Sequence, residues 1–205
     1  MEYEEIALQL REIVKNWMAS YTKYEPIYDL FFDSFFNKQS YLYHTFLTKI
    51  QAIESLHRRM FPNKTWLSNE EFDELKKTIL NMDMSDDALK LIKIRLQYAN
   101  ELTLRRRLKN IIDDHKHLLQ LFRDSSKISD FIDKIVNTRN YLTHYGDSLR
   151  TKSANKDELH DITDKLSMIL YFLLLRVTGF NPEYLEIIFK RHWKYGSLFN
   201  QTGIG

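Results

Sequence analysis

Glycine and proline together fill only 8 of the 205 positions, five Gly and three Pro. Average usage would place roughly 25 of them in a chain of this length. These two residues build most tight turns, so a fold that needs many turns lacks its material here. All-β sandwiches and barrels are disfavoured on that ground, and so is a glycine-rich phosphate cradle. Neither G-x-G-x-x-G nor G-x-x-x-x-G-K-[ST] occurs. What remains is an all-α chain of long helices with few connections.

The 43% hydrophobic content suits a globular fold, and the length favours one domain with a real core. The chain has no cysteine, which excludes a disulfide scaffold, a thiol nucleophile and a Cys-ligated metal. No metal or other cofactor is expected. The longest apolar stretch, 166–180, is interrupted by Ser167, Arg176, Thr178 and Gly179. It falls short of the ~18–20 apolar residues of a membrane span. The N-terminus, MEYEEIALQL, is acidic where a signal peptide is basic. A soluble, cytoplasmic protein without membrane contact is therefore expected. The net charge of +2 is uneven. Residues 1–100 carry 13 basic and 15 acidic groups, and residues 101–205 carry 17 and 13. Such a bias permits a local polyanion site in the second half.

Apolar spacing predicts helices over 2–22, 27–36, 40–61, 68–82, 85–100, 103–122, 129–145, 157–178 and from 181 onward. Ser68 with Glu71 is a capping box, and Ser85 caps the next helix. Pro26 should break the chain, making 21–25 a hinge. Gly146 is a natural C-terminal cap, 147–156 reads as a polar loop, and Pro182 suits the first turn of the last helix. We divide the chain into an N-terminal helix and linker, 1–25, and a helical domain, 26–205. The first helix is expected to pack on a preceding domain that this sequence does not include.

Arg139-Asn140-Tyr141-Leu142-Thr143-His144 is the main chemical candidate. A guanidinium grips phosphate in a bidentate fork, and an imidazole moves protons near neutrality. On a helix the two lie about 7–8 Å apart along the axis and about 140° apart around it. Unwinding of the last turn at His144 would let both face one groove. With 12 Arg and 7 His, an Arg followed by His five to seven positions later arises about once by chance. The context, at a helix end in an all-helical chain with Asn next to Arg, makes this instance informative.

Residues 135–146, with Arg139, Asn140, His144 and Gly146, resemble the HEPN superfamily, specifically its ApeA-like domains. So does 46–58, with Glu54, His57 and Arg58. The resemblance covers 40–189. It implies a helical bundle of about eight helices that homodimerises so that two R-x(4–6)-H motifs meet. It also implies a metal-independent endoribonuclease leaving 2′,3′-cyclic phosphate and 5′-OH ends, in a prokaryotic anti-phage or toxin-like setting. His144 would act as general acid and base, Arg139 would stabilise the phosphate, and Asn140 would be the polar residue after the Arg. In relatives controlled by nucleotidylation a Tyr follows the His by two positions. Here Gly146 stands there and Tyr145 is one position early, so that control is not implied. The alternative is a non-catalytic HEPN module that binds RNA, a nucleotide or a partner protein.

Further candidates are weaker. Glu54 and His57, an E-x-x-H pair, read either as a hydrogen-bonded helix pair or, with Tyr145, as lining of the Arg139/His144 groove. No second copy completes a metal set, and His115-x-His117 diverges on a helix. Arg105, Arg106, Arg107 and Lys109 read as a solvated face or an RNA-phosphate contact. Arg191 and Lys194, beside Trp193, read as a basic helix end or a grip on RNA, single-stranded or structured. The aromatic cluster of 27–43 reads as core or dimer interface.

Overall fold

A computed structural model describes residue 7 and residues 10–37, 40–122, 126–192 and 196. Among these residues there are nine α-helices, one 3-10 helix and no strand beyond an isolated bridge between Thr65 and Glu101. The order is α1 (Leu10–Phe36), α2 (Leu42–Met60), α3 (Asn69–Leu80), α4 (Asp86–Leu96), α5 (Leu104–Asp114) and the 3-10 helix (Lys116–Leu121). Then follow α6 (Ser126–His144), α7 (Asp147–Arg150), α8 (Lys156–Val177) and α9 (Pro182–Arg191). The all-α expectation holds.

The bundle is built around α8, whose middle is apolar on nearly every side. Leu166, Met168, Ile169, Leu170 and Phe172 are all buried, as a helix without a polar face must be. Thr163 and Ser167 enter this core because each hydroxyl donates to the carbonyl one turn back, at 2.6 Å in both cases. α2 lies along α8 through Phe46, Ile50, Ile53 and Leu56, and α1 covers both with Tyr24, Ile27 and Tyr28. α5, α6 and α9 close the remaining sides with Leu108, Ile135 and Phe189. Each such side chain contributes roughly 1.5–3 kcal/mol by burial.

Four local expectations are corrected. First, α1 runs unbroken through Pro26, so 21–25 is mid-helix rather than a hinge. An interior proline costs about 3 kcal/mol. Burial of Tyr24, Ile27 and Tyr28 on either side opposes that cost. So does a row of stacked rings, with centroids 5.7 Å apart from Tyr21 to Tyr28, 6.5 Å from Tyr28 to Phe32 and 6.0 Å from Phe32 to Phe36. Second, 103–122 is two elements, because the chain turns at His115 and tightens into the 3-10 helix. Third, the polar loop contains the short α7 and ends in an unread capping box, Asn155 with Glu158. Fourth, the left-handed residue that stops α6 is Tyr145, at φ 51°, while Gly146 has an ordinary φ of −71°.

The capping box at Ser68 and Glu71 forms as read, with Glu71 N–H donating to Ser68 Oγ at 3.2 Å and Ser68 N–H to Glu71 Oε2 at 2.9 Å. Asn181 and Pro182 start α9 as expected. α3 and α4 form a hairpin in which only Leu96 is buried. Its base is pinned where the Asn100 amide bonds Leu67 N–H and C=O at 2.9 and 3.1 Å. Of the aromatic cluster, Ile27 and Tyr28 are core, whereas Phe32, Phe36, Tyr41 and Tyr43 are exposed. Phe32 and Phe36 line a largely apolar groove of about 920 Å³ between α1, α2 and α8. None of the described helices is long and apolar enough to cross a membrane.

Candidate active site

α6 carries the Arg–His motif, and its sequence decides which way it faces. Phe131, Ile132, Ile135 and Thr138 are buried on one side. At 100° per residue, Arg139 lies about 40° from the centre of that stripe, Asn140 about 140° and His144 about 180°. Arg139 therefore starts half-buried at the edge of the core, and His144 stands on the outer face. The helix stays regular to His144, so the unwinding expected there does not occur. Arg139 Nη1 donates to Asn140 Oδ1 at 3.1 Å. Asn140 and His144 are one turn apart and share a face. The guanidinium is thus hydrogen-bonded to a residue on the face that carries His144.

The scaffold holds this helix end firmly. Thr138 Oγ1 donates to Lys134 C=O at 2.7 Å and accepts from Ala154 N–H at 2.8 Å. That one hydroxyl ties α6 to the start of α8. Lys134 and Glu158 add an ion pair at 3.1 Å between the same two helices. Arg105 of α5 pairs with Asp133 of α6 from another side. Thr143 Oγ1 donates back to Arg139 C=O one turn earlier, at 2.9 Å. Thr138, Lys134 and Thr143 stand outside the Arg–His pair and hold the helix that carries it. The signal was present for Thr138, a polar residue at a core-stripe position, which burial permits only with hydrogen bonds made. A helix C-terminus carries the negative end of the dipole.

Past His144, Tyr145 N–H donates to Tyr141 C=O at 2.7 Å, the single bond of the αL helix cap. Tyr145 is 71% exposed, and its ring meets Tyr141 edge-on at 5.7 Å.

The other candidates go elsewhere. His57 is 1% exposed, inside the bundle, where Arg107 Nη1 lies 3.2 Å from its Nδ1. Glu54 is half-buried one turn earlier on α2, and its charge favours the Arg107 cation. Arg107 corrects the solvated-face and RNA-contact reading, being only 3% exposed. Its Nε donates to Leu102 C=O at 2.9 Å and its Nη2 lies 3.9 Å from Glu101. Arg105 is engaged with Asp133, Arg106 lies over the Trp66 ring at 5.6 Å, and Lys109 is exposed. Arg191 is exposed at the end of α9, and Lys194 lies outside the described residues. His117 bonds Glu186 at 3.0 Å, while His115 packs edge-on against Phe172. Among the described residues no three or more His, Asp or Glu side chains gather in ligand range.

The sequence pattern of the ApeA-like HEPN family matches residues 47–184, two thirds of the chain. The chain belongs to the ApeA-like HEPN family. The match includes the whole of α6 with Arg139, Asn140 and His144, and most of α2 with Glu54 and His57. HEPN domains are helical, and membership points to a nuclease or defence-type function. No curated protein and no solved structure matches the chain.

The buried end of this HEPN domain makes stability depend on pH. Burial, and then the neighbouring Arg107, push the His57 imidazole down to about 4 from 6.5. As pH falls, the unfolded chain takes up that proton first, so stability is full above pH 6.5 and declines toward pH 4. The loss amounts to about 2–3 kcal/mol by pH 4.5. His57→Asn keeps an acceptor for Arg107 and does not titrate. Denaturant melts at pH 7.5 and 4.5 should show a smaller decline in that variant than in wild type; equal declines would remove His57 as the source.

Proposed function

We propose that this HEPN domain is a metal-independent endoribonuclease acting as a homodimer, in which the two α6 helix ends meet at one cleft. The observation that supports this reading is the ApeA-like HEPN match over the whole of α6, where Arg139 is hydrogen-bonded to Asn140 and His144 stands exposed at the end of the same helix. RNA supplies its own nucleophile. His144 takes the proton from the 2′-OH, whose oxygen attacks the adjacent phosphorus. Arg139 balances the charge that grows on the non-bridging oxygens. The P–O5′ bond breaks, and the leaving oxygen takes a proton from the imidazolium of one motif or the other. The products are a 2′,3′-cyclic phosphate and a 5′-OH. By family, the setting is prokaryotic anti-phage defence or a toxin-like system.

Cleavage of single-stranded RNA should therefore persist in EDTA and leave cyclic phosphate ends. The check is gel analysis of end-labelled RNA, with acid opening of the cyclic phosphate. Salt-sensitive RNA binding without any product would instead identify a non-catalytic module. Loss of all cleavage in EDTA would remove the metal-independent mechanism.

A further inference from the structure

The HEPN motif ends on a residue whose backbone conformation is unfavourable for its type. Tyr145 sits at φ 51°. L-residues other than Gly, Asn and Asp avoid this left-handed region because Cβ crowds the following carbonyl. Helices that stop this way usually place glycine there. A glycine is available one position later, at Gly146, where φ is −71° and any residue would serve. Helix termination alone therefore does not account for tyrosine at this position.

The ring has a definite setting. Its backbone N–H is bonded to Tyr141 C=O, and its side chain rests edge-on with the half-buried Tyr141 ring, at an interplanar angle of 61°. With 71% of the residue exposed, at least one ring face is open to solvent. Its chain neighbour is His144, and both residues are exposed at the same end of α6. An aromatic face held in a fixed orientation beside a phosphate-handling site is suited to stacking a nucleobase. Stacking tolerates any base, but the base must first leave its own helix.

We propose that Tyr145 is a nucleobase platform at the cleavage site and that it restricts the domain to unpaired RNA. The proposal rests on the ribonuclease reading for its location, and its test separates the two. The substrate is a 2′-O-methyl oligonucleotide carrying one ribonucleotide, hence one scissile linkage. Partner versions lack the base at either nucleotide flanking that linkage, or are annealed into a duplex. Stacking on an aromatic side chain changes affinity by roughly 5- to 150-fold per base. Tyr145→Gly should lower kcat/KM on the intact single strand by about that factor, and removing the flanking base should do the same to wild type. In Tyr145→Gly, removing the base should then cost little more. Tyr145→Phe keeps the ring and should restore cleavage to within about twofold. The glycine variant should melt no lower than wild type, and up to about 2–4 °C higher, because it relieves the left-handed strain.

Full activity in Tyr145→Gly, an equal penalty for base removal in both proteins, or equal cleavage of duplex would overturn the platform. A loss of activity explained by a shift from dimer to monomer in light scattering would also overturn it, assigning the ring to the subunit contact. A wild type that binds these oligonucleotides without cutting them would end the nuclease reading alone. The same comparison, read as affinity, would then decide the platform. A wild type that neither cuts nor binds them would overturn both.

Discussion

His144→Ala should leave a folded protein that no longer cuts RNA. General acid–base groups contribute roughly 10²–10⁴ in rate, so the variant should fall to the detection limit of a gel assay. Stability should stay within about 0.5 kcal/mol of wild type, because His144 is exposed at the end of α6 and packs against nothing in the core. Arg139→Ala should lose about 10²–10³, the worth of one well-placed charge donor to a developing oxyanion. Arg139→Lys should recover only part of this, since a point charge cannot form the guanidinium's planar fork.

Asn140 separates positioning from charge. Asn140→Ala removes the acceptor of the Arg139 hydrogen bond, but leaves the cation present. Asn140→Asp keeps an acceptor and converts the contact to an ion pair, neutralising part of the charge that a phosphate needs. Both should cut less well than wild type, the alanine variant chiefly through lost orientation. Mixed dimers of His144→Ala with Arg139→Ala test the shared cleft. Partial recovery of cleavage on mixing places one His and one Arg from different copies in a common site. Wild-type rates in either single variant would end the proposed mechanism.

The helices were legible because their signals are local. Ser68 and Glu71 lie three residues apart and cap α3 as read, and Asn181-Pro182 opens α9. Pro26 misled because its local cost is set against distant partners. The burial of Tyr24 and Ile27 against α2 and α8 is invisible in the neighbouring sequence. The stop at Tyr145 misled in the same way. A glycine one residue later is the better local choice, so a rule about caps selects the wrong position. The spacing of Arg139 and His144 put both on α6, but the hydrogen bond from Arg139 to Asn140 was not legible, because it depends on one rotamer. The basic run of α5 was the least legible. Nothing in three consecutive arginines says which faces inward. The choice is made by His57, fifty residues away on another helix.

That choice makes Arg107→Ala the most damaging single substitution expected outside the site. The guanidinium is buried and serves three groups, donating to Leu102 C=O, contacting His57 Nδ1 and lying near the Glu101 carboxylate. Truncation leaves the buried His57 nitrogen and the Leu102 carbonyl without their donor, in a void where the side chain was. Losses of this kind cost about 3–5 kcal/mol, a fall in Tm of roughly 6–20 °C for a chain of this size. Arg106→Ala, one residue earlier on the exposed side, should cost about 1 kcal/mol or less, the worth of a surface cation–π contact. His57→Leu combined with Arg107→Met should melt well above Arg107→Ala, because removing both partners leaves fewer buried polar atoms unpaired. α5 also holds α6 through Arg105 and Asp133. Weaker cleavage by Arg107→Ala should therefore appear as the protein approaches its lowered Tm and vanish on cooling. Loss of cleavage at every temperature, with wild-type melting, would instead put Arg107 in contact with RNA and overturn its structural role.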